Sequence, residues 1–422
     1  MIERPSETGA LVEHLFRRQA GRIVAHLTRL LGPARIDLAE ESVQEAMLRA
    51  LQSWPDHGVP SNPEAWLFRV AHNAAIDAVR RTQMAGEKTG ALVAEIERAA
   101  SAPAQDPDVE EQLRDDELRM IFMCCHPEIP RDASVALGLK CVGGFSVREI
   151  ARAFLADDAA IAQRLVRAKR LIRERGLTLE MPRGAELDPR LDAVLEVIYL
   201  VFNEGYAAHE GGELIRNDLC MEALRLGRFI AASSLSAPRV HALVALMSLQ
   251  AARSAARVTE TGELILLDEQ DRSRWDPELL GLGFYHFDLS IAGGQVSEYH
   301  AQAAIAATHA RSAGGGSTDW PMILELYDQL MAMNRSPVVA LNRAVAVAKV
   351  HGTARALADI EPLETDPKLQ DYYLLLALRG HLLLDLGRTE EAGHCFRGAL
   401  ACRCSAPERR FLEKMSERCP VH

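Results

Sequence analysis

The sequence predicts an almost entirely α-helical protein. Only 5% of its 422 residues are aromatic, and the helix formers Ala, Leu, Arg and Glu outweigh the β-branched and aromatic residues that favour strands. Apolar residues also recur at helical spacing along most of the chain. The expected exception is the run Glu263-Leu264-Ile265-Leu266-Leu267 after Thr261-Gly262, which predicts one short hairpin or an extended loop.

Composition restricts the classes of function. A chain of 422 residues is expected to form two to four domains at about 150 residues each. Its net charge of -11 excludes a protein that coats nucleic acid by bulk charge, so any DNA contact must be local. We expect a cytoplasmic protein without a membrane span, because no apolar run reaches about 20 residues and the eight cysteines have no disulfide-like spacing.

Four segments are predicted in order along the chain. Residues 9–82 form a helical unit that is interrupted at Gly32-Pro33 and by a turn over residues 55–62. Residues 83–108 are a linker, and residues 109–177 form a second helical unit that closes at the helix C-cap Gly176. Residues 186–422 continue as amphipathic helices.

The last segment contains a repeat. Three small or apolar residues recur 36 positions later, as Ala344, Ala356 and Ile360 against Gly380, Ala392 and Phe396. This interval is close to the tetratricopeptide period, in which small residues lie where two helices cross. The sequence therefore predicts stacked helix pairs at the end of the chain.

The first functional element is a helix with an acidic outer face. Asp37 and Glu40 are spaced like a capping box at its start. Its predicted buried stripe is Ala39, Val43, Ala46 or Met47, Ala50 and Trp54, which leaves Glu41, Gln44, Glu45 and Arg49 outward.

The second element begins at Asn62-Pro63, an N-cap followed by proline at the first helical position. Arg69, Asn73, Asp77 and Arg80 follow at helical spacing and form one polar face. Such a face can bind bases and phosphates, with Trp66 or Phe68 as a ring for stacking. An ordinary solvated face is the alternative.

The third element has the pattern of a helix-turn-helix. Ser146 and Glu149 begin its first helix, and Asp157-Asp158 form the turn. Ile150, Ile161, Leu165 and Ala168 are the predicted contacts at the helix crossing, whereas the second helix exposes Gln163, Arg164, Arg167, Lys169, Arg170 and Arg173. This local basic surface suits phosphates and base edges in the major groove. A helical hairpin with a basic surface is the alternative.

In their order and residue patterns the three elements resemble the extracytoplasmic-function sigma factors. The second element has the form P-x-x-W-L-x-x-x-A-x-N-x-x-x-D, beginning at Pro63. The resemblance implies that the protein binds RNA polymerase core at its clamp helices and flap and binds promoter DNA. It assigns polymerase contact to Asp37, Glu41, Gln44 and Glu45. It assigns the -10 element to Trp66, Arg69, Asn73, Asp77, Arg80 and Arg81, with Asp77 alternatively a structural partner of Arg81. It assigns the -35 element to Arg148, Gln163, Arg164, Arg167, Lys169 and Arg170, although Ala162 stands where many relatives carry lysine.

The remaining chain resembles the tetratricopeptide-like extension of one subgroup of these sigma factors, through residues 199–206, 268–275 and 341–346. We expect it to regulate transcription in cis, so that truncation near Pro182 alters promoter output. A groove for a regulatory protein or ligand is predicted from Asn203, Glu204, Asp271, Arg272, Arg274 and Trp275. Polar residues that lock helix junctions are the alternative reading of these six.

No metal, cofactor or catalytic site is predicted. Cys124-Cys125-His126 are adjacent rather than spaced like zinc ligands, and Glu204 with His209 or His241 matches no catalytic motif. The alternatives to a sigma factor are a helix-turn-helix regulator outside the polymerase, a scaffold, and an enzyme in the extension. The enzyme would require a deep pocket at Glu204, Asp271 and Arg274.

Overall fold

The all-α prediction is confirmed over the part of the chain that the computed structural model describes. These residues are 7–83, 94, 96, 107–154, 156–206, 216–259, 261–292, 294–312, 317–367, 369, 370 and 372–419. Within them the β pairing is one antiparallel bridge between Val258 and Leu264. The predicted hairpin is therefore present in its shortest form, and the amide of Ile265 donates to the carbonyl of Arg257 at 2.8 Å.

The chain divides into two compact units, Met1–Val197 (unit 1) and Ile198–His422 (unit 2). The predicted helical segments 9–82 and 109–177 both belong to unit 1. Most of the predicted linker 83–108 lies outside the described residues, although Ile96 is fully buried. The division into four segments stays a prediction.

Unit 1 contains eight helices among its described residues, the last of them shared with unit 2. They are α1 Glu7–Leu31, α2 Ile36–His57, α3 Pro63–Gln83, α4 Pro107–Cys124, α5 Arg131–Cys141, α6 Val147–Ala153, α7 Asp158–Arg175 and α8 Leu187–Tyr206. Helix α1 packs against α2, α3, α4 and α5, and α7 packs against α5 and α6. The predicted break at Gly32-Pro33 is confirmed, since Gly32 has a φ of 83° and Pro33 begins a 3-10 turn.

The predicted turn over residues 55–62 begins later than expected. Helix α2 continues through Pro55 to His57 and ends at Gly58, which has a φ of 82° and donates its amide to the carbonyl of Trp54. Proline lacks an N–H and costs one helical hydrogen bond. The buried side chain of Trp54, 3% exposed, anchors this last turn against the core.

Polar contacts and a close backbone approach join the first and second helical segments of unit 1. His26 Nδ1 lies 2.8 Å and Arg29 Nε 3.0 Å from the same carboxylate oxygen of Asp116, which links α1 to α4. At Gly21 an added Cβ would lie 2.0 Å from the carbonyl oxygen of Val142. The two segments are therefore packed as closely as parts of one core.

Unit 2 continues from the end of α8 as a chain of helix pairs. Its helices are α9 Asn217–Ala231, α10 Pro238–Ala251, α11 Pro277–Ser290, α12 Glu298–Arg311, α13 Trp320–Met333, α14 Pro337–His351, α15 Thr353–Ile360, α16 Tyr373–Asp385, α17 Thr389–Ala401 and α18 Ala406–Glu417. From α9 to α18, each helix packs against the next one in the chain. This arrangement builds the core of unit 2 from neighbours in sequence.

The 36-residue repeat corresponds to two successive helix pairs. Helices α14 and α16 begin 36 positions apart, and so do α15 and α17. All six repeated residues are buried. At Gly380 an added Cβ would lie 2.8 Å from the ring of Phe396, so a small residue is needed where these helices cross. The tetratricopeptide-like assignment stays a prediction.

Candidate polymerase and DNA interface

The buried and exposed sides of α2 agree with the prediction from sequence, but the start of the helix does not. The buried side contains Ala39, Val43, Ala46, Met47, Ala50 and Trp54, and the exposed side contains Glu41, Gln44, Glu45 and Arg49. The capping-box prediction is wrong, because the N-cap is Arg35 and makes no side-chain cap. Asp37 and Glu40 are within the helix and bind side chains of α7 instead.

Two apolar residues on α2 were missed by the reasoning from sequence. Leu48 is 53% exposed and Leu51 is 45% exposed, beside the acidic side chains of the same helix. The available signal was their position outside the buried stripe, where a leucine gains nothing from the core. Together with Glu41, Gln44 and Glu45 they form a surface that we call the α2 face.

Helix α3 has the predicted cap and the predicted polar face. Asn62 Oδ1 accepts a hydrogen bond of 2.9 Å from the amide of Ala65. The predicted polar face is exposed, and we call its residues Arg69, Asn73, Asp77, Arg80 and Arg81 the α3 face. Arg81 Nε donates to the backbone carbonyl of Asp77 at 3.3 Å, so this contact does not use the carboxylate that was proposed as its partner.

The two aromatic candidates for base stacking on α3, Phe68 and Trp66, differ in how far their rings are buried. Phe68 is 6% exposed and lies 4.1 Å from the ring of His72. The suggestion that Phe68 stacks on bases is therefore wrong, because its ring is part of the core. Trp66 is half-buried and meets Trp54 edge to face at 5.3 Å.

Helices α2 and α3 enclose one groove of about 670 Å³. Glu41, Glu45 and Arg49 line its α2 side, and Asp77, Arg80 and Arg81 line its α3 side. The fold therefore places predicted polymerase-contacting residues directly beside predicted -10 residues. The groove has mixed charge, with acidic groups mainly from α2 and basic groups mainly from α3.

A short turn joins helices α6 and α7. The predicted cap and the predicted helix crossing are both present. The amide of Ser146 donates to Glu149 at 2.8 Å, and the amide of Glu149 donates to Ser146 Oγ at 3.1 Å. Ile150, Ile161, Leu165 and Ala168 are buried as predicted. Helix α7 ends at Gly176, whose φ of 61° is left-handed, so the predicted C-cap is also confirmed.

The basic residues of α7 do not all face solvent. Gln163, Arg167, Arg170 and Arg173 are exposed, as is Arg148 on α6. Arg164 is half-buried, and its Nε lies 3.4 Å from Asp132. The prediction that α7 exposes Lys169 is wrong, since Lys169 is 8% exposed. Val166, which was missed, is 62% exposed on the same side of α7 as Gln163, Arg167 and Arg170.

Lys169 belongs to a group of charges that joins α7 to α2. Its Nζ donates to Asp37 Oδ1 at 2.8 Å and to Glu40 Oε2 at 3.0 Å. Arg173 donates to the other oxygen of Asp37 at 3.0 Å. Cys141 Sγ donates to Glu40 Oε1 at 3.1 Å. We call Asp37, Glu40, Lys169 and Arg173 the α2–α7 cluster.

The charge of Lys169 is stable within this cluster. Burial by itself lowers the pKa of the Lys169 ammonium, but the nearby carboxylates of Glu40 and Asp37 outweigh it, and the pKa is raised. The neighbouring Cys141 thiol has a pKa raised well above its usual value by its hydrogen bond with Cys124, by burial and by Glu40. At physiological pH Lys169 is therefore a permanent cation, and Cys141 beside the cluster is a neutral thiol.

In unit 2 the six predicted groove residues have different contacts. Glu204 lies 3.7 Å from Arg216, and Asp271 accepts hydrogen bonds from the amide and hydroxyl of Ser273. Asn203 hydrogen-bonds Tyr199, which opposes the rise that burial causes in the Tyr199 pKa. Arg274 is exposed.

The side chains of Arg272 and Trp275, two of these six residues, contact each other. The guanidinium of Arg272 lies 4.2 Å from the centre of the Trp275 ring and donates to the carbonyl of His309 at 2.6 Å. Arg253, which was missed, lies 5.7 Å from the same ring. None of the six residues lines the cavity of about 890 Å³ between the start of α9 and α18. The regulatory groove stays a prediction.

All eight cysteines are free thiols. Burial raises the pKa of Cys125, which opposes its use as a thiolate ligand. Across the described ranges, no three His, Cys, Asp or Glu side chains are grouped to hold a metal ion. Nor does any helix within those ranges have the length and apolar character to cross a membrane.

Comparison with known proteins finds two family matches within the chain. Residues 15–84 match the Sigma-70 region 2 family, and residues 190–291 match a family of unknown function, DUF6596. An uncharacterized protein of Rhizobium meliloti is 42% identical over 381 residues, which are 89% of each chain. The ECF RNA polymerase sigma factor SigE of Mycolicibacterium smegmatis is 26% identical over 162 residues, 38% of this chain and 60% of that protein. No solved structure matches.

These matches indicate a class of protein. A sigma-70 region 2 formed by α1 to α3 supports a role like that of the factors for transcription initiation. The chain combines this region with a DUF6596 domain and has distant homology to an extracytoplasmic-function sigma factor, which is consistent with a factor of that class that carries a C-terminal extension.

Proposed function

We propose that this protein binds RNA polymerase core through the α2 face, opens the -10 promoter element with the α3 face, and reads the -35 element with α6 and α7 as a helix-turn-helix. The single observation that supports this most is the groove shared by α2 and α3, because residues that we propose for polymerase contact and for DNA capture line its two sides. The polymerase performs the chemistry, and the protein itself is not an enzyme. We further propose that it acts in the cytoplasm, where its polymerase and DNA partners are.

The α2 face suits a protein partner. Exposed Leu48 and Leu51 supply apolar surface that a partner can cover, and Glu41 and Glu45 supply charges that basic groups of the polymerase can pair with. An apolar centre with a polar rim is the usual composition of a protein interface. Complementary charge around it increases the association rate and selects the partner.

The α3 face suits melted DNA. Arg69, Arg80 and Arg81 can bind phosphates, and the amide of Asn73 can bind a base edge. The carboxylate of Asp77 repels phosphate but can accept a hydrogen bond from a base amino group, as on cytosine or adenine. The half-buried Trp66 supports the fold through Trp54 and offers the rest of its ring for base stacking.

The exposed side of α7 suits the major groove. Gln163, Arg167 and Arg170 combine hydrogen-bond donors with positive charge, and Arg148 adds a charge from α6. Val166 projects two methyl groups among them. In the major groove the matching apolar group is the C5-methyl of thymine. We assign Val166 to a thymine within the -35 element.

For unit 2 we propose regulation in cis. Stacked helix pairs with a 36-residue repeat support it, since such stacks commonly bind partners. A truncation that tests this should follow Tyr206 rather than Pro182, because α8 is shared between the two units. In unit 1, Arg190 of α8 donates to the carbonyl of Phe122 at 2.7 Å, and a cut at Pro182 would remove this contact.

The test is transcription in vitro with purified core polymerase and fragmented genomic DNA, comparing the full chain with the chain ending at Tyr206. Transcripts that require this protein support the proposal, and a difference between the two forms gives the sign of the regulation. Arg69→Ala and Asn73→Ala should abolish these transcripts, whereas Arg335→Ala, an exposed arginine of unit 2, should not. DNA binding without any binding to core polymerase would favour the helix-turn-helix regulator.

A further inference from the structure

We propose that unit 2 binds a phosphate group, either free or carried by a small molecule, between Arg253, Arg272, Trp275 and His309. We call these four residues the anion site. Arg272 and Trp275 belong to the regulatory groove that the sequence predicts, whereas Arg253 and His309 do not. The proposal adds a ligand of defined chemistry to regulation in cis, and the binding itself can be measured without polymerase.

The anion site is built around the ring of Trp275, which is 4% exposed. The guanidinium carbon of Arg272 lies 4.2 Å from the ring centre, and that of Arg253 lies 5.7 Å from it. Arg253 follows the end of α10, and Arg272 begins the 3-10 turn Arg272–Arg274. His309 of α12 is held beside them, because its carbonyl accepts a hydrogen bond of 2.6 Å from Arg272 Nη1. Three separate segments therefore bring two guanidinium groups to one ring.

Three buried nitrogen atoms of the anion site have no hydrogen-bond partner within the part of the chain that the structure describes. They are Arg272 Nη2, Trp275 Nε1 and His309 Nδ1. Buried polar groups normally have a partner, because an unpaired one loses its hydration without compensation. The first two nitrogen atoms are donors, and His309 Nδ1 is a donor in one of its tautomers. An oxyanion can supply acceptors to all three.

The two guanidinium groups also lack a matching negative charge. Among the described residues neither forms an ion pair, and Arg253 makes one hydrogen bond, of 3.4 Å, to the side chain of Gln270. Burial and the nearby Arg253 lower the pKa of Arg272, and the carboxylate of Asp268 opposes this effect. Asp268 is already paired with Lys349 at 3.0 Å. A buried charge without a partner destabilises the fold, so this arrangement favours an added anion.

The charges select phosphate among the common oxyanions. Arg253, Arg272 and Lys349 are cations, and Asp268 is the carboxylate that acts on this group, which leaves an excess of about two positive charges. A phosphate group carries about −1.5 to −2 at neutral pH, and a guanidinium group can bind two of its oxygens together. A carboxylate would neutralise only part of the excess.

The anion site is within reach of solvent at one edge. Arg253 and Arg272 are half-buried, and Ser273 and Arg274 of the same turn are exposed. The turn begins at a side-chain cap, in which Asp271 accepts a hydrogen bond of 2.9 Å from the amide of Ser273. A phosphate that approaches Arg272 from this edge therefore needs a shift of one short turn, rather than of a helix, to reach the buried donors.

Isothermal titration calorimetry of the full chain with inorganic phosphate tests the anion site. We expect one phosphate per protein, with a dissociation constant below about 1 mM. Arg272→Gln should weaken binding about tenfold or more, since one charged fork of donors is lost. Arg274→Gln is the matched control, because it removes the same charge from an exposed residue of the same turn. No binding by the unaltered protein, or equal weakening by the two substitutions, would overturn the proposal.

The indole N–H of Trp275 gives a second readout, at the site itself. The protein contains four tryptophans, and Trp275→Phe, which retains an aromatic ring and removes the N–H, identifies the NMR signal of Trp275. Phosphate should shift this signal in the unaltered protein and leave the indole signals of Trp54 and Trp66 in unit 1 unchanged. Phosphate binding that does not shift the Trp275 signal would contradict the site, even if an arginine substitution destabilised the protein.

Two further ligands distinguish the source of the phosphate. Tighter binding of glycerol phosphate than of inorganic phosphate would identify a phosphorylated small molecule as the ligand, whereas the reverse order would identify free phosphate. Acetate, which carries a single negative charge, should bind at least about tenfold more weakly than either. Acetate that binds as tightly as phosphate would overturn the assignment to phosphate.

Discussion

At the residue scale, the decisive observations are which side chains face solvent. Val166 and Lys169 are three positions apart on α7, yet Val166 is 62% exposed and Lys169 is 8% exposed. The apolar residue therefore faces solvent, on the side of α7 that we propose binds DNA, and the charged residue faces α2. Residue type alone predicts the opposite exposure for these two residues. The carboxylates of Asp37 and Glu40 that hold Lys169 against α2 lie far away in sequence, so no local pattern indicates them.

The assignment of Val166 predicts a specific interaction with a thymine methyl group. Val166→Ala should weaken binding to the cognate promoter by about 1 kcal/mol, since part of one apolar contact is lost. Replacing the contacted thymine with deoxyuridine should weaken binding of the unaltered protein by a similar amount. The two changes together should cost no more than either alone, as measured by fluorescence anisotropy. Additive losses at every thymine of the element would contradict the contact.

The crossing at Gly380 predicts a cost for a single methyl group. Gly380→Ala would place a Cβ 2.8 Å from the ring of Phe396, and overpacking of this kind costs about 1 to 3 kcal/mol. Gly138→Ala is the matched control, because no heavy atom lies within 4 Å of its Cβ position, and it should stabilise α5 by about 0.5 to 1 kcal/mol. Urea unfolding measures both. Equal effects would show that α16 and α17 do not meet at Gly380.

At the element scale, helix ends position the side chains that matter for function. The reciprocal cap between Ser146 and Glu149 fixes the start of α6, and α6 in turn packs against α7. Asn62 fixes the start of α3 by accepting a hydrogen bond from the amide of Ala65. These caps involve residues three positions apart, so the sequence predicted both of them.

Removal of the α6 cap should affect both stability and promoter binding. Ser146→Ala should cost about 1 kcal/mol of unfolding free energy and weaken binding to the -35 element, because α6 supports α7. Ser405→Ala removes the equivalent cap of α18 in unit 2, where Ser405 also pairs with a glutamate, Glu408. This control should lose stability without losing affinity for a -35 DNA fragment. Loss of affinity in both variants would indicate general unfolding.

At the scale of the whole molecule, buried histidines in both units make stability depend on pH. Burial is the main reason that the pKa values of His72, His286 and His309 are lowered to about 4. An unfolded chain binds protons at these histidines below its ordinary pKa of about 6.5, whereas the folded chain does not. Their contribution to stability is therefore complete above that pH and decreases as the pH falls towards 4.

The pH prediction is tested at one site. His72 is fully buried, and its shift corresponds to on the order of 3 kcal/mol of unfolding free energy between neutral pH and pH 4. His72→Gln cannot titrate and should show a smaller loss of stability over this range, measured by chemical unfolding at several pH values. The same pH dependence in the variant and the unaltered protein would contradict a neutral His72.

The sequence by itself determined the helical class, the N-caps of α3 and α6, the C-cap of α7, the buried stripes of α2 and α7, and the 36-residue repeat. These features follow from spacings of a few residues, or from a repeat that each helix pair shares with the next. It also indicated the acidic α2 face and the polar α3 face, because exposure on a regular helix follows from the position of its buried stripe.

Only the tertiary structure decided how these elements use their side chains. Lys169 and Asp37 are 132 positions apart, so no local pattern could show that each is the partner of the other. The sequence predicted Phe68 and Trp66 equally as rings for base stacking. In the structure Phe68 packs against the rings of His26 and His72 in the core. The contacts between α2 and α7 depend on which distant surfaces meet, and that is set by packing in three dimensions rather than by spacing along the chain.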